Sequence, residues 1–297
     1  MTKKKKIIIS CANGEVSYDL INYLKKKYYV IGIDTNKFGL AKKICDEFYI
    51  CPNGSSNKFP SYIERMSKKV ESIFLFADEE ILNISKNINK LKYVKNRILI
   101  SDFQTIETCN DKKIFEKKLI NYFNFPKNNN LSKAIIKPKI GRGSKNILIS
   151  KDKKIINFFK KNQNYLVQEF IVGKEFTVDC FFLKDGKLLQ SIARERIIKK
   201  NVSIVGKIIF DKKINKIVEK ISSILKFRGP INIQLMKKKN IYYLIEINPR
   251  ISGSILFSMK SNFNPFDFQV KYLNNKKFKI NKIDYNKYYY RYYNTYV

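Results

Sequence analysis

The sequence predicts two unlike halves: an α/β N-terminal region built on a parallel sheet, then an α+β region with antiparallel strands. Three observations carry this reading. Short apolar runs alternate with helical patterns up to about residue 105. From residue 134 onward strand-like runs follow one another, with one long helical pattern near 212–226. Between the halves a strand ends in lysine and enters a glycine-bearing loop, Lys137-Pro138-Lys139-Ile140-Gly141-Arg142-Gly143-Ser144.

The first apolar run, 7–11, closes in Ala12-Asn13-Gly14, and a helical pattern follows through Leu20, Ile21 and Leu24. Strands are expected at 28–33, ending at Asp34, at 72–76, ending at Ala77-Asp78-Glu79-Glu80, and at 98–100. This β-α-β rhythm implies helices covering a parallel sheet, with Asn13, Asp34 and Asp78 on one rim. Several such acids act simply as strand-end caps. The first turn holds one glycine where a dinucleotide fingerprint needs three, so a nicotinamide cofactor is not expected. A helix is predicted from about 110 to 123, with Asn110 or Asp111 as its N-cap and Pro126 beyond its end. Strands follow at 134–138, 146–149, 165–170, 176–183, 188–195, 231–236 and 242–247.

Composition narrows the chemistry. The chain has 297 residues, 60 Lys+Arg against 25 Asp+Glu, and a formal charge of +35, with no His and no Trp. Lacking histidine, it has no Ser-His-Asp triad, histidine base or His-ligated zinc. Its charge suggests a polyanion partner, yet only 8 of the basic residues are Arg and 52 are Lys, alongside 45 Ile, 31 Asn and 5 Ala. Lys, Ile and Asn share A/T-rich codons, and nucleic-acid readers favour the planar Arg fork. The charge reads as background, and no specific nucleic-acid partner is expected. Five cysteines, odd in number and without a CxxC pair, fit a reducing cytoplasm. The lysine-led start resembles a secretion signal, but its apolar stretch is too short and reads as a first strand. No run approaches the ~18 apolar residues of a transmembrane helix, so no membrane partner is expected.

Three motifs carry chemistry. In the glycine loop, backbone N–H groups can approach phosphate oxygens and Lys137 adds a point charge; alone, it would pass as a hairpin turn. In the strand Leu244-Ile245-Glu246-Ile247-Asn248-Pro249-Arg250, Glu246 and Asn248 are two apart and share a face. A carboxylate among apolar neighbours must be paired or metal-bound. With Arg250 just beyond, the set suits Mg²⁺ on a polyphosphate, the alternative being a buried Glu–Arg pair. Gln234 joins that face if the hairpin loop holds an odd number of residues. The third motif, Gln168-Glu169-Phe170-Ile171-Val172-Gly173-Lys174-Glu175, sets acids at both ends of a link between strands. Glu175 could accept from ribose hydroxyls, and the backbone near Phe170 and Ile171 could pair with a flat base.

Taken in order with Lys112, the motifs resemble the ATP-grasp superfamily, in particular the branch similar to the ATP-grasp domains of the carbamoyl phosphate synthetase large subunit, a carboxylate–amine ligase-like group. The resemblance covers nearly the whole chain, including Ile251-Ser252-Gly253-Ser254 and the terminal Tyr290-Arg291-Tyr292-Tyr293-Asn294. It implies an α/β N-terminal domain (1–105) followed by an α+β ATP-grasp fold, with a lid subdomain (106–165) and an antiparallel large subdomain ending in a C-terminal strand (166–297). By that resemblance Lys112 and Lys137 contact ATP phosphates, and Gly141, Arg142, Gly143 and Ser144 form the loop over them. Glu169, Phe170 and Ile171 line the adenine, and Glu175 holds the ribose. Gln234, Glu246 and Asn248 coordinate two Mg²⁺, with Mn²⁺ as the alternative. Arg250 stabilises an acyl phosphate, and Arg196 grips a substrate carboxylate. Only ten residues separate Pro126 from Lys137, so the lid is trimmed relative to this group.

The function implied is ATP-dependent activation of a small-molecule carboxylate and its joining to an amine, with ADP released. The alternatives are an ATP-grasp phosphotransferase and, from another class, a non-catalytic polyanion binder using the lysines and the seven tyrosines among residues 285–296. Those tyrosines read more simply as a strand covering the large domain and as a homodimer contact.

Overall fold

The structure is a computed structural model that describes residues 3–141, 146–200, 202–277 and 279–292. Its N-terminal part alternates β1 (Lys5–Ile9), α1 (Ser17–Lys25), β2 (Tyr28–Asp34), α2 (Ala41–Ile44), β3 (Glu47–Ile50), α3 (Lys58–Ser67), β4 (Ser72–Phe74) and α4 (Asp78–Asn87). The four strands form a parallel sheet in the order β3-β2-β1-β4. The stretch Ile7–Ile9 of β1 is apolar without interruption and buried because both of its faces are covered. Ile7 and Ile9 pack towards α1 and the second half of the chain, while Ile8 packs into the core beneath α3 and α4.

Two helices then lead out, α5 (Phe103–Asn110) and α6 (Lys112–Leu119). Asp111 ends the first and caps the second, accepting from the amides of Lys113 and Ile114. The helix expected over 110–123 is therefore shorter, and the residues before it form a helix of their own. A three-stranded sheet, β6-β5-β7, follows, from β5 (Ala134–Pro138), β6 (Leu148–Ser150) and β7 (Tyr165–Glu169), with α7 (Lys153–Lys161) against it. No helix occupies 126–133.

The remaining strands, β8 (Lys174–Phe182), β9 (Leu188–Lys199), β10 (Ser203–Ile209), β11 (Gly229–Lys238), β12 (Ile241–Asn248) and β13 (Tyr288–Tyr290), form an antiparallel sheet in the order β12-β11-β8-β9-β10-β13. α8 (Lys212–Ile224) covers one face, where Val178, Cys180, Ile231, Ile233, Leu235, Leu244 and Ile247 are buried. On the other face Phe181, Ile192 and Ile208 join Ile7, Ile9, α9 (Ile255–Met259) and α10 (Pro265–Leu273) in a core shared by both halves of the chain. The expected closing strand is thus Tyr288–Tyr290, and residues 293 and 294 lie outside the described residues. Among the described residues no helix is long and apolar enough to cross a membrane.

One expected strand is absent. Residues 98–100 run beside β4 but are not paired to it as a strand. Ile73 N–H donates to Arg97 O (2.8 Å), and then the Gln269 side chain of α10 intervenes. Its Nε2 donates to Ile73 O (2.9 Å) and Ser72 Oγ (2.8 Å), and its Oε1 accepts from Leu99 N–H (3.0 Å). A buried side-chain amide has replaced the ladder, so apolar character alone misread the segment. Gln269→Leu should leave Leu99 N–H and Ile73 O unpaired in the interior and lower unfolding free energy by about 1–3 kcal/mol, measured by urea denaturation.

Candidate functional site

The site lies in the cleft between the three-stranded sheet and the free end of one face of the six-stranded sheet. The cleft encloses a cavity of about 750 Å³. Lys112, Lys137, Gly141, Glu169, Phe170, Ile171, Glu175, Arg196, Gln234, Glu246, Asn248 and Arg250 all line it. Arg142, Gly143 and Ser144 lie outside the described residues.

Register brings the acids and amides together. Gln234 pairs directly opposite Glu246, and Asn232 opposite Asn248, so all four share the cavity face. The turn between the strands, Lys239 and Asn240, holds an even number of residues, contrary to the odd loop that this placement requires. A β-bulge at Ile245 supplies the odd residue: Leu235 pairs with Leu244, and Gln234 with Glu246. Leu244 and Ile247, three apart, both reach the opposite core because of it. Asn248 Nδ2 donates to Glu246 Oε1 (2.9 Å), and Arg250 Nη2 to Asn248 Oδ1 (3.4 Å). The guanidinium also grips Asp78 at the start of α4, with Nε to Oδ1 at 2.5 Å. Asp78 thus ties the parallel-sheet half to the motif strand, and its charge outweighs the partial desolvation of Arg250 and raises the pKa of its guanidinium.

The lysines face this strand from across the cleft. Lys137, at the end of β5, is buried, and desolvation draws its pKa down to about 8 while Glu246 opposes the shift. Lys112, also buried, donates to Gly141 O (2.8 Å), and its own amide donates to Lys139 O (2.9 Å). The first turn of α6 therefore holds the root of the glycine loop, where Gly141 has φ +154°. Gln168, part of the third motif but given no role there, donates to the buried Glu116 (2.6 Å), whose charge also acts on Lys137 and which sequence reading missed. Gly173 is required by close approach, since a Cβ there would sit 2.2 Å from Lys237 O. Glu169 pairs with Lys238 (3.0 Å). Glu175 is held by Arg196 and Lys199, so two residues read as serving different substrates share one ion pair.

The floor of the cavity rests on a buried polar belt that the motifs did not reveal: Arg194 and Asn232, which line it, with Asp179 and Ser258 behind them. Its signal in the sequence is alternation alone, because Arg194 is two from Arg196 and Asn232 two from Gln234. The Asn13 and Asp34 rim closes on itself instead. Asn13 N–H donates to Asp34 Oδ2 (2.9 Å), and Asn13 Oδ1 accepts from Ala41 N–H (2.9 Å).

Oxygen donors with a single carboxylate, Glu246, plus the amides of Gln234 and Asn248, fit a hard divalent cation whose coordination phosphate oxygens complete. Two buried lysines, with Gly141 beside them, suit those phosphates.

The chain is similar in sequence and in fold to several known proteins. A family described as ATP-grasp in the biosynthetic pathway with Ter operon matches residues 161–294. The tyramine–L-glutamate ligase of Methanocaldococcus jannaschii is 25% identical over 235 residues, covering 77% of this chain and 70% of that protein. N5-carboxyaminoimidazole synthetase from Staphylococcus aureus, solved with ADP, superposes with a TM-score of 0.72 at 15% identity, covering 94% of this chain and 79% of the other. An L-amino acid ligase from Bacillus licheniformis gives a TM-score of 0.64 at 17% identity, covering 93% and 74%. The fold is shared with both structures.

Near Asp78, the buried Glu80 carboxylate accepts from Ser10 Oγ (2.5 Å) and Ala77 N–H (3.1 Å), and burial pushes its pKa up to about 7. Because the folded value lies above the unfolded one near 4.5, the stability contribution is complete below pH 4.5 and is lost as pH rises through about 7. Glu80→Gln keeps the acceptor and removes the charge. Its urea midpoint should lose that pH slope and exceed that of the parent above pH 7.

Proposed function

We propose, from the premise that this chain belongs to the ATP-grasp superfamily, that it is an ADP-forming ligase joining a small-molecule carboxylate to an amine. The observation that carries the reading is convergence: twelve residues from separate stretches of sequence line one cavity, where the Glu246 carboxylate and the Gln234 and Asn248 amides face the buried Lys112 and Lys137. Tyramine–L-glutamate ligase and L-amino acid ligase both name such a reaction for similar proteins.

The substrate carboxylate attacks the γ-phosphorus of ATP, forming a carboxyl–phosphate bond as the bond to ADP breaks. The amine then attacks the acyl carbon, phosphate leaves, and the amine's proton passes to solvent or phosphate. Lys112 and Lys137 spread the charge of the transferring phosphoryl group, with Gly141 beside them. Arg250, aimed by Asp78, stabilises negative charge on the acyl phosphate and the tetrahedral species that follows. Phe170 and Ile171 border the base with Glu169 beside them, and Glu175, fixed by Arg196, meets the ribose. Gln234, Glu246 and Asn248 would hold Mg²⁺, which supplies neutralisation of phosphate charge. The units 1–105, 106–165 and 166–297 serve as substrate rim, lid and catalytic floor. Position and charge do the chemistry, without a covalent nucleophile.

ADP should form only when both a carboxylate and an amine are present; ATP hydrolysis without any carboxylate, followed by coupled ADP assay, would count against ligation. Glu246→Gln combined with Asn248→Ala should reduce Mg²⁺-dependent turnover by about 10²-fold or more, and retained turnover would sink the metal assignment.

Lys137 gives a pH test. Only its protonated form attracts phosphate, so ATP affinity should be greatest below about pH 8 and weaken as pH rises through that value, approaching about tenfold per pH unit. Calorimetric titration should show this slope in the parent and its loss in Lys137→Arg, whose charge persists.

A further inference from the structure

Cations on the cavity floor exceed what the phosphate chemistry employs. Arg194, in β9, is fully buried and lines the cavity. Its Nη1 donates to Asp179 Oδ2 (3.1 Å) and Ser258 Oγ (2.7 Å). Ser258 donates to the same Asp179 oxygen (2.6 Å), and Asn232 Nδ2 to the other (3.2 Å). The Arg194 stem crosses Gly206, where a Cβ would lie 2.9 Å from its Cδ, and the guanidinium carbon stands 5.8 Å from the Phe257 ring centroid. These contacts fix the side chain and engage one corner of its fork.

The other edge has no partner. Nε and Nη2 of Arg194 are both buried without a hydrogen-bond acceptor, and so is Ser252 Oγ, which lines the same cavity. Those two N–H groups form the side-on edge that takes a carboxylate with two parallel hydrogen bonds. Buried donors left unmade are costly, so a site that keeps them is built for an acceptor the protein itself does not supply.

The local charge agrees. Arg194, Arg196, Lys199 and Lys200 line the cavity; of its three acids, Glu175 already holds Arg196 and Lys199, Glu169 pairs with Lys238, and Glu246 belongs to the amide cluster. Asp179 answers Arg194 from below the floor, yet does not reach its open edge. Arg194 also lies in the same cross-strand row as the metal-side amide. Gln234 pairs with Thr177, and Thr177 with Arg194, so the two are separated by two strand spacings, about 10 Å. The short Thr177 side chain leaves a trough between them.

We propose that Arg194, with Ser252, binds a second carboxylate on the acid substrate, making the enzyme selective for dicarboxylic acids over monocarboxylic ones. This inference rests on the ligase reading and names its substrate class. One carboxylate lies at the phosphate end to be activated; the other is anchored on the open guanidinium edge, with a short chain bridging the trough.

The test uses hydroxylamine as the amine and measures hydroxamate formed with ATP and Mg²⁺. The acids are matched pairs: glutarate with its monomethyl ester, and L-glutamate with L-glutamine. The dicarboxylate of each pair should show kcat/KM at least about tenfold higher. Asp179→Asn combined with Arg194→Met removes both charges of the buried pair together. It should erase that preference while leaving ATP affinity unchanged, and Arg194→Lys should recover it only in part. If the double variant does not fold, Ser252→Ala serves instead, raising KM for glutarate but not for the monoester. No preference in the parent, or a preference that survives the substitutions, overturns the proposal. Should none of the acids yield hydroxamate, the ligase reading fails separately, and calorimetry of glutarate binding in the presence of a non-hydrolysable ATP analogue decides the subsite. Glutarate binding that the double variant loses upholds it, and no glutarate binding to the parent overturns it.

Discussion

One face of the six-stranded sheet has to serve two incompatible purposes, and the strict alternation of side chains along a strand governs how it does so. Along β8 the same face presents Glu175, Thr177, Asp179 and Phe181 in turn. The first two line the cavity, the third lies in the buried belt, and the fourth packs in the core shared with the parallel-sheet half. β9 repeats the gradient in Arg196, Arg194 and Ile192. A polar site can therefore stand on an apolar core only if a paired polar layer separates them, which is the place of Asp179, Arg194, Asn232 and Ser258. The Ile245 bulge keeps β12 in step with that gradient after an even turn would have put Glu246 into the α8-facing core.

Two contacts then lock the halves into a single working unit. Gln269 bridges α10 to β4 and the segment at Leu99, and Arg250 bridges the motif strand to Asp78. Behind Leu99, Gly229 at φ +76° begins β11, where a Cβ would fall 2.2 Å from Leu99 O. The parallel sheet is thus clamped at the strand that leads to Asn232 and Gln234. Its rim cannot shift without moving the floor of the cavity. The coupling gives the Asp78 end of the rim a direct line to Arg250, whereas Asn13 and Asp34 are consumed in closing their own turn.

Most of this was legible where local chemistry and strand period coincide. The parallel and antiparallel halves, the Asp111 cap, the shared face of Glu246 and Asn248, and the lysine at the end of β5 all follow from short stretches of residues. What escaped depends on partners far away in the chain. Residues 98–100 have strand-like composition, but Gln269, some 170 residues on, takes their pairing. The bulge could not be read because nothing in Leu244-Ile245-Glu246 distinguishes it from a regular strand. Arg194 looked no different from Arg196, although the first is fully buried and the second only partly so. Register against β8 and β10, with Gly206 making room, separates them.

Burial also resolves the meaning of the charge. A chain with 52 lysines offers little reason to single out any one, and most of them lie where water solvates them at small cost. Among the described residues the buried lysines are Lys112 and Lys137 and the buried arginine is Arg194, and all three line the same cavity. A drift in base composition can add exposed lysines freely, because an exposed ammonium remains hydrated. It cannot place three cations in the interior, where each must recover its desolvation from oxygens nearby. Lys112 does so through Gly141 O, Lys137 through the field of Glu246 and Glu116, and Arg194 through Asp179, with two N–H groups still open. Each is thus satisfied only in part by the protein. All three line the cavity, which is what a site for a multiply charged anion requires of its walls.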